Sequence, residues 1–105
     1  MNTTSEATTG EVRLIAYLVP KPGKEEDLAA AIRDISADVL REPGCAAYIA
    51  HQSCERPGTI VMYEVWEDDA ALDVHVASAP FQRLAGRFDE LLGEPLKLER
   101  LQLLT

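Results

Sequence analysis

Positive charge is scarce in this chain: ten Lys and Arg stand against eighteen Asp and Glu, a formal charge of −8. A nucleic-acid backbone or an anionic membrane surface would repel such a molecule at long range, which sets both partner classes aside. No apolar run approaches the roughly 20 residues that span a bilayer. The first residues have neither the basic opening nor the apolar middle of an export signal, so a cytoplasmic protein is expected. Cysteine is limited to Cys45 and Cys54. On one extended strand they would sit about 30 Å apart at the usual rise, whereas a disulfide needs Cα atoms within about 7 Å. They read as free, partly buried thiols, and Cys45 has no cationic neighbour to activate it.

Several catalytic patterns are missing as well. There is no Gly-rich loop after a strand to cradle phosphates or a dinucleotide, no Ser nucleophile elbow, and no paired-carboxylate spacing. The two histidines, His51 and His75, have no Cys or carboxylate at ligand spacing. Neither a metal nor a cofactor is therefore expected.

What is present is one domain's worth of alternating periodicities over 105 residues. Residues 1–10 are Thr-, Ser- and Glu-rich and read as a solvated tail, leaving residues 11–105 for the fold. From Glu11 to Val19 both alternating sets are apolar after the first pair, as in a strand buried on both faces. Pro20 and Pro22-Gly23 end it, and Glu25, Glu26 and Asp27 suit a helix N-terminus. That helix carries Leu28, Ile32, Ile35 and Val39 on one stripe and is stopped by Pro43-Gly44.

Cys45–Ser53 and Thr59–Trp66 read as a hairpin about Glu55-Arg56-Pro57-Gly58. Glu67-Asp68-Asp69 then caps a helix with Leu72, His75, Val76 and Ala79 inward. Beyond Pro80 a further helical segment carries Phe81, Leu84, Ala85, Phe88, Leu91 and Leu92 up to Gly93, and a leucine-rich last strand runs from Leu96 to Leu104. The order is βαββαβ, an α+β ferredoxin-like sandwich on a four-stranded antiparallel sheet. Helices cover only one face of such a sheet, so the second apolar face calls for a partner. A homodimer of sheet against sheet, a dimeric α/β barrel, is the simplest solution. RNA-recognition modules share this topology, but they need basic aromatic strands, and Thr59–Trp66 has no Lys or Arg.

Chemistry is concentrated between Glu42 and Phe81. His75 and His51 are candidate proton acceptors because imidazole exchanges protons near neutral pH. Trp66 reads either as a core aromatic whose N–H finds a carbonyl or as a stacking wall for a substrate ring. Glu64, in mid-strand on the same face as Met62 and Trp66, either lies on a solvent or interface face, paired with an Arg, or orients a histidine. Arg83 and Arg87 are expected to be solvated, with Glu90 as a weak partner for Arg87 and an acidic substrate as their alternative role.

The run Glu42-Pro43-Gly44-Cys45, Tyr48, Tyr63-Glu64-Val65-Trp66-Glu67, Leu72, His75 and Phe81 resembles the antibiotic biosynthesis monooxygenase (ABM) family, and the likeness extends over nearly all of Val12–Leu104. The resemblance implies a ferredoxin-like homodimer with a pocket between sheet and helices. It includes branches that oxidise phenols or hydroquinones with O2 without metal or flavin, branches that degrade haem, and an isomerase branch. The haem-degrading pattern of Asn, Trp and His falls here on Ala16, His75 and Ala85, which argues against that chemistry. The polyketide-oxygenase pattern shares Trp66 but has Asn and Tyr where this chain has Met62 and Leu72. The quinol-monooxygenase-like branch fits best. It implies a small aromatic substrate and O2, with His75, His51 and Glu64 as catalytic candidates and Trp66, Tyr63, Tyr48 and Phe81 against the ring. A non-catalytic dimeric binding or stress-associated protein, and an isomerase of a dicarbonyl substrate, are the alternatives.

Overall fold

The computed structural model describes residues 10–105. Except for Gly10, the expected N-terminal tail lies outside the described residues. The chain runs β1 (Val12–Leu18), α1 (Glu25–Leu40), β2 (Cys45–Gln52), β3 (Ile60–Trp66), α2 (Asp69–Ala77), α3 (Ala79–Ala85), α4 (Phe88–Leu91) and β4 (Lys97–Leu101). The strands form one antiparallel sheet in the order β2-β3-β1-β4. This is the ferredoxin-like α+β arrangement the element order implies. Among the described residues no helix is long and apolar enough to cross a membrane.

Strand alternation divides the sheet into two unlike faces. Val12, Leu14, Ala16 and Leu18 of β1 and Ile60, Met62, Glu64 and Trp66 of β3 are buried on the helix side. Helix α1 lays its expected stripe, Leu28, Ile32, Ile35 and Val39, on this face, with Ala31 completing it. Its N-terminus has no side-chain cap, and Glu25, Glu26 and Asp27 supply the charge the dipole favours. The other face carries Ile15 and Tyr17 of β1, Ile49 and His51 of β2, and Val61 and Tyr63 of β3, aligned across the sheet by register. Among the described residues no helix covers it, and Ile49 is 49% exposed.

The turn after α1 is specified by Gly44, whose φ of +80° favours glycine. A Cβ there would lie 2.6 Å from that of Ala71. The Gly44 carbonyl accepts from the Glu67 N–H at 2.8 Å, joining this turn to the exit of β3. Asp68 caps α2 by accepting from the Ala71 N–H at 2.8 Å.

The structure corrects the sequence reading at several points. Ala79 does not face inward, since α2 ends at Ala77 and Ala79 is exposed; Val76 lines the cavity beside His75 but is 45% exposed, and His75 is the one buried residue of the helix. Ser78 is extended and breaks the helix; its hydroxyl donates to the His75 carbonyl at 2.7 Å and accepts from the Phe81 N–H. Pro80 then occupies the first turn of α3, where its missing N–H costs nothing. The expected continuous segment from Phe81 to Leu92 is divided at Gly86-Arg87 into α3 and α4. Strand β4 is shorter than the leucine pattern suggests and is exposed throughout, because it is an edge strand with no second layer over it. Cys54 lies beyond β2 and is exposed rather than partly buried, while Cys45 is half-buried. Arg83 reaches Asp38 at 3.6 Å, and Arg87 meets Glu90 at 3.2 Å.

Candidate active site

Between the sheet and helices α2–α4 lies a narrow, partly open cavity of ≈ 50 Å³, walled almost wholly by apolar side chains. Its polar groups come from Glu64, His75 and Tyr48. Space for a single water takes about 10–15 Å³ on this measure, so the cavity is scaled to a few waters or a small flat molecule.

His75 is the centre of an aromatic cluster and is only 3% exposed. Trp66 stacks on it with centroids 4.5 Å apart and 27° between planes, while Tyr48 and Phe81 meet it edge-on at 5.7 and 5.2 Å. Phe88 extends the cluster behind Phe81. This packing fixes the imidazole plane, since each neighbour is itself held by the sheet or by the Ser78-capped helix.

Glu42 fixes its tautomer. His75 Nδ1 lies 2.9 Å from Glu42 Oε1, so the ring donates its Nδ1 proton to the carboxylate. Among the described residues no protein group is bonded to Nε2, which leaves that nitrogen to accept a proton from a bound molecule. The second Glu42 oxygen is buried without a partner.

Glu64 serves a different purpose from the one expected. It does not bond a histidine or an Arg; its Oε1 accepts from the Trp66 Nε1–H at 3.0 Å, and the carboxylate lines the cavity. Burial raises its pKa above the ordinary 4.5, against the opposing pull of the Trp66 N–H and His75; the Glu42 charge adds to the rise. Burial likewise pushes the Tyr48 phenol upward, with the Glu64 and Glu42 charges adding to it. The Cys45 thiol is raised in the same way, first by burial and then by those carboxylates, so it stays a thiol.

The other candidates fall elsewhere. Trp66 is wholly buried, stacked behind His75 and absent from the cavity wall, so its ring cannot be the surface a ligand lies on. Tyr63 and His51 project to the open face by strand alternation. Tyr63 accepts from Arg13 Nη1 at 2.9 Å, and His51 Nδ1 lies 3.1 Å from the Val61 carbonyl. The structure thus brings together His75, Glu64, Tyr48 and Phe81 and leaves His51 and Tyr63 apart. Glu42 was not among the sequence candidates. Its one signal was a carboxylate immediately before the helix-stopping Pro43-Gly44. Among the described residues, no three His, Cys, Asp or Glu side chains converge as a metal site requires.

The chain is thus a ferredoxin-like domain with an imidazole–carboxylate pair at the polar end of an apolar cavity. The chain belongs to the antibiotic biosynthesis monooxygenase family, whose model matches residues 11–87. It is 33% identical over 90 residues to "Putative monooxygenase YcnE" of Bacillus subtilis, covering 86% of this chain and 95% of that one. The crystal structure of PA3566 from Pseudomonas aeruginosa superposes with a TM-score of 0.85 at 32% identity, covering 91% of this chain and 96% of that one. Rv0793 from Mycobacterium tuberculosis gives a TM-score of 0.84 at 27% identity, with 90% and 96% covered.

Proposed function

We propose that this protein is a cofactor-independent monooxygenase of the quinol type, oxidising a hydroquinone or related phenol with O2. The observation that carries the reading is the Glu42–His75 pair opening onto an apolar cavity. A neutral phenol reduces O2 slowly and its anion far faster, so the group the reaction requires is a positioned base. His75 Nε2 takes the phenolic proton, and Glu42 holds the resulting imidazolium. The phenolate then supplies two electrons to O2, an oxygen–carbon bond forms on the ring, and the peroxide O–O bond breaks with loss of the ring proton. Hydroquinone and O2 thus become hydroxyquinone and water. Tyr48 and Phe81 flank the ring, Trp66 backs the base, and apolar walls keep water from the intermediates.

The test is oxygen uptake with menadiol or methylhydroquinone, comparing wild type with His75→Ala. Uptake well above autoxidation in the wild type and at background in the variant is expected. A wild-type rate equal to autoxidation overturns the reading. Saturable binding without product would then favour a binding protein, and oxygen-independent turnover of a dicarbonyl would favour an isomerase.

A further inference from the structure

The cavity has a charge character that its apolar walls conceal. None of the chain's ten Lys and Arg lines it, although all ten lie within the described residues. Arg83 and Arg87, the cations on the nearest helices, are turned outward to Asp38 and Glu90, and Arg100 is drawn to Asp69 at 2.9 Å. Arg13 and Lys97 belong to the open face, one bonded to Tyr63 and the other over the Tyr17 ring. At the cavity, by contrast, stands the Glu64 carboxylate, with Glu42 directly behind His75. Trp66 occupies one Glu64 oxygen. The other has no protein partner among the described residues, and it is not one of the sealed, unpartnered atoms.

From this we infer that Glu64 is the specificity-determining residue of the cavity, selecting an uncharged ring whose hydroxyl donates to its free oxygen and rejecting the same ring when it bears an anionic group. The inference rests on the hydroquinone reading for the kind of ring, though not on turnover. A hydroxyl donor satisfies Glu64, whereas a carboxylate or sulfonate brings a second anion beside that carboxylate in a site that no Lys or Arg lines. A buried polar group rejects ligands that leave it unpaired more strongly than an apolar wall rejects one of altered size.

Three ligands of one skeleton separate charge from polarity: methylhydroquinone, 2,5-dihydroxybenzamide and 2,5-dihydroxybenzoate. Their affinities are measured by calorimetry under nitrogen at pH 7.5, where no oxidation occurs. In the wild type, methylhydroquinone and the amide bind, and the benzoate binds roughly a hundredfold more weakly than the amide, as like-charge juxtaposition requires. In Glu64→Gln, which keeps an oxygen for the Trp66 N–H, that gap closes by at least about tenfold. Equal wild-type affinity for amide and benzoate overturns the inference without any variant. A gap unchanged in a folded Glu64→Gln protein also overturns it, as does failure of all three ligands to bind. Discrimination without oxygen uptake in air upholds the selectivity and removes the oxygenase reading alone.

Discussion

Glu42 and His75, separated by 33 positions in the chain, meet at 2.9 Å with the imidazole nine-tenths and more withdrawn from solvent. The pair is made by two boundaries: a turn that ends α1 and a helix that begins after β3. If Glu42 positions the base, Glu42→Gln lowers kcat/KM for methylhydroquinone by about a hundredfold to ten-thousandfold, the usual range for a base and its orienting group. Glu42→Asp restores part of it. A Gln variant with wild-type pH–rate behaviour and rate would show that the contact is only structural.

Replacing Trp66 with Phe keeps a ring against His75 but removes the N–H from Glu64, leaving a buried carboxylate oxygen unpaired. The expected cost is about 1–3 kcal/mol of stability. Trp66→Ala, which also opens a void, is expected to cost about 3–5 kcal/mol. Urea denaturation curves of the two variants check both the sizes and their order.

Glu64 also makes stability depend on pH in a definite direction. Its folded pKa is raised, chiefly by burial. Between the ordinary carboxylate value of 4.5 and that raised value, the folded state holds more proton than the unfolded one, so stability falls as pH rises through this window. Glu64→Gln does not titrate. Its stability relative to wild type therefore increases from pH 4 upward and levels off once the native Glu64 has ionised. Glu42, His75 and Cys45, which surround the site, are common to both proteins, so their contributions largely cancel. Thermal melts from pH 4 to 8 measure the difference, and a flat difference contradicts the assignment.

Gly44→Ala would put a Cβ into the side chain of Ala71 and force an L-residue to a φ of +80°. A loss of roughly 1–3 kcal/mol is expected from the backbone alone. Activity should fall further than stability does, because the turn also carries Glu42. Parallel melts and oxygen uptake on the same preparation separate the two.

For the open face we expect a second copy of the chain. Its apolar side chains, Ile15, Tyr17, Ile49, Val61 and Tyr63, are aligned in one patch, which a two-fold axis would bring against itself. Analytical ultracentrifugation should give twice the monomer mass for the wild type, and the monomer mass for Ile49→Arg. A monomeric wild type at micromolar concentration would exclude the dimer.

The fold was legible because its signals are local. The α1 stripe, the hairpin turn at Pro57-Gly58 and the acidic start of α2 each sit within one element, and each appears where the sequence places it. The break at Ser78 was harder to read. Pro80 announces an interruption, but the hydroxyl that ends one helix and starts the next depends on backbone geometry. The site was partly legible: His75 stood out as a polar residue at an inward position, whereas the burial of Glu64 and the partner of each are set by the tertiary fold. Glu42 reaches His75 across a turn, and Trp66 folds beneath the imidazole instead of standing at the cavity wall. The same period-two reading that put Glu64 on one face of β3 was enough to place Tyr63 on the other.

Strand β3 presents Met62, Glu64 and Trp66 to the cavity side and Val61, Tyr63 and Val65 to the open sheet. A slip of one residue would exchange the two sets, moving the acid and the indole onto the open face and a tyrosine to the cavity side. The phase of this strand thus matters as much as its residue types. An insertion of one residue in the loop between Gln52 and Ile60 could be absorbed by the loop, whereas one inside Ile60–Trp66 would rearrange the cavity and the open face at once.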